Sequence, residues 1–474
     1  MAINLSTLRT PGVYIDEIKK FPPSIAAVET AIPAFIGYTQ KALKRGENLT
    51  LKPTRISSML EYEEFFGSTQ QEQNLEVRLQ QSPTGRLQFV ADFDWSDGKG
   101  PSKHLLYYAM QQFYANGGGP CYIVSVGTFL EFGTTISVPT PFETALDELE
   151  KFDEPTLIVI PEGQSMDHGT YFQVISKAIN QCVELGDRFV IMDVQHSGRD
   201  LQTAGEIKEV ADEFRDLLQG GGDTLKYGAA YFPNIRSTFN YDYDPALSNI
   251  KLFNQTGADI PLSALTNSQK SNVILALNTL DIYLPPSASV AGVYARVDNA
   301  RGVWKAPANE SLRAVSDISC QITDRIQAFL NVDDNAGKSI NAIRTFTGKG
   351  IIVWGARTLN GNDNEWRYVP VRRFFNMVEE SAKKATFQFV FEPNDKNSWT
   401  RVKSMIGNFL FLQWRSGALM GTTAEQAYFV KVGLNETMSE LDIWEGRMIV
   451  EIGMAVVRPA EFIILRFSHK MLES

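Results

Sequence analysis

The 474 residues carry 45 Lys plus Arg against 55 Asp plus Glu, a formal charge of -10, with 43% hydrophobic and 21% charged residues. These ordinary globular proportions exclude wholesale disorder and fibrous repeats, and the acidic balance excludes a general nucleic-acid binder, because a polyanion partner needs a net basic surface. No stretch approaches the roughly 18 consecutive apolar residues of a membrane-spanning helix, so direct membrane insertion is not expected.

At about 100 to 200 residues per domain the length predicts two to four domains. The first residues show no basic segment followed by an apolar core, so a soluble cytoplasmic product is expected. Cys121, Cys182 and Cys320 are widely spaced in apolar contexts and read as reduced thiols, without a disulfide or metal framework.

In chain order, Pro11-Gly12 marks a turn. A short strand over 13–18 follows, bounded by Lys19, Lys20 and Pro22-Pro23. Residues 1–24 therefore form an arm whose lone strand cannot satisfy its own backbone groups. A strand-like apolar run from Ile25 to Tyr38 opens a packed region reaching 102. Within it, the Gln-, Ser-, Gly- and Asp-rich segment 69–101 is expected to be an exposed insertion with weak structure. Residues 103–334 alternate helices at 105–114, 142–152 and 170–185 with strands at 121–126, 157–160, 189–193 and 227–232. That pattern predicts a mostly parallel sheet covered on both faces.

From 335 to 458 the character shifts to a strand at 351–354, helices near 371–385 and 395–417, and a strand at 448–457. After Pro459 the segment 459–474 carries a last strand over 461–467. The fold class is mixed α/β, with an assembly domain formed by both chain ends and outer α/β domains inserted between them.

The chemistry-bearing residues do not converge. His104, His168, His196 and His469 lack metal-ligand spacing and read as surface-loop residues. Ser165 with Asp167-His168, and Asp193 with His196, lack the Gly-x-Ser-x-Gly elbow that a nucleophilic serine needs. Ala336-Gly337-Lys338-Ser339 has Val332 where a phosphate loop requires glycine. Gly117-Gly118-Gly119 follows a helix and precedes a strand, the reverse of a dinucleotide turn. Arg372, Arg373, Lys383 and Lys384 can form a basic stripe on one helix, for which a solvated face is the plain reading. No catalytic residue, metal site or cofactor is expected. The unpaired terminal strands point to assembly instead.

Several motifs carry a family resemblance. They are Thr10-Pro11-Gly12-Val13-Tyr14-Ile15-Asp16-Glu17, Ile340-Asn341-Ala342-Ile343-Arg344, Gly355-Ala356-Arg357-Thr358-Leu359, Glu365-Trp366-Arg367-Tyr368-Val369-Pro370-Val371-Arg372-Arg373, Phe391-Glu392-Pro393-Asn394-Asp395 and Pro459-Ala460-Glu461-Phe462. In this order the chain resembles contractile tail sheath proteins, over about 10–40 and 285–470. The resemblance implies subunits stacked in hexameric rings around an inner tube, contraction that drives the tube through an envelope, and arms that complete a small sheet on neighbouring subunits. It further implies assembly in the bacterial cytoplasm and, as partners, the tube protein, baseplate and tail-terminator proteins and paralogous sheath subunits. A single chain with both family-like ends is unlike the two-chain sheaths of type VI secretion and closer to phage, pyocin or extracellular injection systems. A baseplate or tail-terminator component is the alternative.

A strand with free backbone groups gains stability by adding to another sheet edge. Val13, Tyr14, Ile15 and Ile18, with Phe462, Ile463, Ile464, Leu465 and Phe467, are the expected inter-subunit strand-exchange residues. From residue 331 onward there are 18 Lys plus Arg against 16 Asp plus Glu, leaving 27 against 39 before it. The near-neutral C-terminal region is therefore expected to face the tube, with Arg372, Arg373, Lys383 and Lys384 as its contacts.

Overall fold

Every residue of Pro33–Thr39 is buried, and such a run is stable only between two other strands. In the computed structural model, which describes residues 25–81, 86–95, 100–196, 201–244, 246 and 250–465, it lies inside a nine-stranded sheet. The order is Glu310–Ser311, Gly350–Trp354, Ile340–Phe346, Gly228–Phe232, Phe189–Asp193, Leu157–Val159, Pro33–Thr39, Cys121–Thr128 and Thr54–Ile56. The six strands from Ile340–Phe346 to Cys121–Thr128 run parallel, and the pairings at both margins are antiparallel.

Alternation assigns Ala34, Ile36 and Tyr38 to one face and Phe35 to the other, each inside its own apolar core. Helices Thr140–Glu150, His168–Leu185 and Ala204–Leu217 supply the first core, and Leu106–Ala115 and Ser287–Arg301 the second. Helix limits follow local chemistry. Asp167 Oδ1 accepts the Thr170 N–H at 2.9 Å at the start of His168–Leu185, and Gly186, at φ 72°, ends it.

The segment 69–101 departs from its expected weak structure. Leu75–Gln81 pairs antiparallel with Leu87–Phe93 and parallel with Ile250–Phe253. Leu75, Val77 and Phe93 bury against Leu252, Val273 and Leu277, the last two on the helix Asn267–Leu277. The polar composition hides a single apolar face whose cover comes from a distant stretch of chain.

The described residues divide into two compact units, 29–377 with 458–465, and 25–28 with 378–457. The expected boundary at 335 falls within the large unit, because Ile340–Phe346 and Gly350–Trp354 extend its sheet. The division lies instead within the helix Val369–Thr386. In the smaller unit the helix Lys396–Arg415 buries Val402, Met405, Ile406, Phe409 and Leu410, and Tyr428–Lys431 pairs antiparallel with Glu451–Met454.

His104 and His196 are buried rather than in surface loops. His104 Nε2 accepts the Leu130 N–H at 3.0 Å and its Nδ1 faces Glu162 Oε1 at 3.3 Å, so both nitrogens are committed inside the body. Lys338 is also internal: its Nζ donates to Leu218 O at 2.7 Å and to Arg215 O, closing the C-terminal end of Ala204–Leu217. All three cysteines are buried and unpaired. Burial pushes the Cys121 and Cys320 thiols up to about 12.

Candidate assembly surface

The strand Ile340–Phe346 holds Asn341 in the interior. The Asn341 amide donates to Ala230 O at 3.2 Å and Arg357 O at 2.8 Å, while its Oδ1 accepts the Arg357 N–H at 2.7 Å. Arg357 is thus clamped through both of its backbone groups. The Thr358 N–H to Arg367 O bond of 2.8 Å and the Val369 N–H to Ala356 O bond of 3.0 Å lay residues 366–369 beside it.

The Arg357 guanidinium, 4% exposed, gives one nitrogen to Asn331 O at 3.1 Å and turns the rest of its fork toward Glu461. Nη2 reaches Glu461 Oε2 at 2.6 Å, and Nε reaches the two carboxylate oxygens at 2.9 and 3.2 Å. Asn331 Nδ2 donates to the same carboxylate at 2.9 Å and the Tyr368 hydroxyl at 3.2 Å. Burial alone would raise the Glu461 carboxyl, but the Arg357 and Asn331 hydrogen bonds outweigh it and hold it below its ordinary value. Arg458 Nη1 adds a bond to Asn364 O at 2.7 Å.

One residue later the environment reverses. Phe462, Ile463, Ile464 and Leu465 are 72 to 79% exposed and have no ladder partner among the described residues. A continuous exposed apolar run of this kind marks an interaction segment. Phe467 and the strand-exchange residues Val13, Tyr14, Ile15 and Ile18 lie outside the described residues, as does His469.

The basic stripe does not survive as a surface. Arg372 and Arg373 are 2% and 3% exposed. Arg372 lies over the rings of Trp366 and Tyr227, at 4.5 and 5.0 Å, and donates to Asn376 Oδ1 at 2.6 Å. Arg373 bonds Asp298 at 3.1 and 2.5 Å, donates to Thr30 O at 2.8 Å and rests 4.5 Å over Tyr294. Two buried guanidiniums with internal partners cannot present a solvated stripe. Lys383 and Lys384 remain exposed, each within 3.3 Å of Glu380.

In the smaller unit no third strand joins the pair Tyr428–Lys431 and Glu451–Met454 among the described residues. Phe387, Phe391, Leu441 and Trp444 are exposed there, and Phe391 adopts φ +67°, uncommon for a non-glycine residue.

Glu461, Arg357 and Asn331 were not candidate site residues from sequence. Glu461 and Arg357 stand inside separate resemblance motifs, and nothing in either motif links the two charges.

Residues 361–470 match the model of the phage tail sheath C-terminal domain. Fold and motifs together define a tail sheath-type subunit. Over nearly the whole length, the chain is 32% identical to a chain in the anti-feeding prophage helical sheath in its contracted state, covering 98% of this chain and 100% of that one at a TM-score of 0.64. The same identity, coverage and TM-score relate it to a chain in the anti-feeding prophage baseplate. The tail sheath protein of Vibrio phage KVP40 is 25% identical over 133 residues, 28% of this chain and 20% of that protein. The first curated relatives are thus matched over only about a fifth of their own length. The chain belongs to the contractile tail sheath family.

Proposed function

We propose that this chain is the structural subunit of a contractile sheath that polymerises helically around an inner tube and, on contraction, drives the tube through a target envelope. The observation that carries this reading is the apolar run Phe462–Leu465 leaving a firmly held root, since an exposed strand-forming segment gains stability by adding to a sheet edge of another copy. The two-stranded sheet of the smaller unit is the proposed acceptor. Donor and acceptor surfaces differ, so the contact is heterologous, and heterologous contacts that do not close build helical arrays. The arm over 1–24 is the proposed second donor. Lys383 and Lys384 are the proposed tube contacts that remain, acting through weak solvated pairs able to release during firing.

Electron microscopy of the chain expressed with its tube protein tests this reading. Long hollow cylinders are expected, and dispersed monomers under all conditions would sink it. Removing residues 462–474 is expected to abolish the cylinders while leaving the subunit folded. Cylinders that persist after removal of residues 1–20 would eliminate the N-terminal arm as a required link. The match to a baseplate chain favours a second reading, a baseplate ring component, which predicts single rings in place of cylinders.

A further inference from the structure

We infer that Glu461 is the fixed root of the C-terminal arm, so that the arm pivots between Glu461 and Phe462 and transmits its load through Arg357 and Asn341 into the large sheet. This rests on the arm serving as a link between subunits. Four observations converge on it.

The Glu461 carboxylate receives donors from three side chains, Arg357, Asn331 and Tyr368, between 2.6 and 3.2 Å. Those donors are themselves fixed. Arg357 is held through its backbone by Asn341 and through Nη1 by Asn331 O, and Asn331 O also accepts the Ser339 hydroxyl at 2.6 Å. Upstream, Arg458 is tied to Asn364 O at 2.7 Å, and Pro459 has a restricted φ. Downstream, four apolar residues are more than 70% exposed. Among the described residues the last side-chain tie is therefore at Glu461, which is where a tethered strand bends when its partner moves.

The load path follows from the same bonds. Asn341 belongs to Ile340–Phe346, a strand paired on both sides in the nine-stranded sheet, and its amide also bonds Ala230 O on the adjacent strand Gly228–Phe232. A pull on Phe462 is thus delivered to a sheet with a core on each face. Losing Glu461 would leave most of the Arg357 fork buried without its anion, an arrangement that disfavours the arm detaching upstream of the pivot.

Spin labels on Ala460→Cys and, separately, Ile464→Cys in the full-length chain report the pivot. The native cysteines are buried and should take up little label. The label at 460 is expected to be immobilised and that at 464 mobile. Adding Glu461→Ala should free the label at 460 while circular dichroism stays unchanged. In particles assembled with the tube protein, Glu461→Ala should reduce intact contracted cylinders by about tenfold, with Glu461→Gln intermediate because it still accepts hydrogen bonds. A 460 label as mobile as the 464 label, or one that Glu461→Ala leaves unchanged, would overturn the inference. So would full assembly and contraction by Glu461→Ala when deletion of 462–474 abolishes cylinders. If that deletion itself leaves cylinders intact, the linking role of the arm fails, independently of where the pivot lies.

Discussion

Close to its entry into the large unit at Glu29, and again near the last described residues, the chain is held by arginine, at Thr30 and at Glu461, in different ways. At Thr30 the held group is a backbone carbonyl, bonded by Arg373, with Asp298 completing a buried ion pair and the Thr30 hydroxyl donating to Asp298 at 2.6 Å. At Glu461 the held group is a side chain at the rim, 22% exposed. The contact at Thr30 is made by a guanidinium buried together with its anion, so it forms as part of folding and cannot be released without disturbing that pair. A rim carboxylate can be removed while the sheet stays intact. The N-terminal root is thus part of the fold, and the C-terminal root is an attachment to it.

Breaking the first root should have the larger effect. Arg373→Met leaves Asp298 buried without its cation and should cost about 3 to 5 kcal/mol, read as a shift in urea unfolding. An unfolding midpoint like that of the parent would show that the pair contributes little.

A second effect concerns the helix Ser287–Arg301, which carries Asp298. The Ser287 N–H donates to Asp193 Oδ1 at 2.8 Å. Burial pushes the Asp193 carboxyl up to about 7 from an ordinary value near 3.8. The folded state therefore binds this proton more tightly than the unfolded chain. Its contribution to stability is fully present below about pH 4 and is lost as the pH rises toward 7, by an amount on the order of 2 to 4 kcal/mol. Asp193→Asn should flatten that part of the profile of Tm against pH, and an unaltered slope would remove Asp193 as its source.

At the second root, Glu461→Ala should cost less, about 1 to 3 kcal/mol, because Glu461 is 22% exposed at the rim, so that its removal admits water to the Arg357 fork, which also keeps Asn331 O. A loss as large as that of Arg373→Met would erase the distinction between the roots. Smallest of all, Lys383→Glu with Lys384→Glu should change subunit stability by roughly 0.5 kcal/mol or less, since exposed pairs contribute little. Their effect should appear in tube cosedimentation, and unchanged cosedimentation would dismiss them as tube contacts.

The parallel sheet was legible because strands buried on both faces are continuous apolar runs, as in Leu157–Val159 and Phe189–Asp193. Its margins were not, because Thr54–Ile56 and Glu310–Ser311 are too short to carry a pattern. The motif residues Asn341, Arg357, Tyr368 and Glu461 marked the family correctly, yet their roles emerged only when the fold brought them together. Arg372 and Arg373 were misassigned because charge was taken to mean solvent. Trp366 nearby in sequence, and Asn376 one helical turn along, were the available signs of an internal site.

By itself the sequence determined the α/β layering, the helices near 371–385 and 395–417 and the family, since these follow from periodicity and local motifs. The tertiary structure decided what charge cannot announce: Arg373 is buried beside Asp298, Arg357 receives Glu461, and the strands Leu75–Gln81 and Leu87–Phe93 pack with Ile250–Phe253 and Asn267–Leu277. The physical reason is that the value of a charge or an apolar face depends on what covers it, and in each case the cover comes from a distant part of the chain.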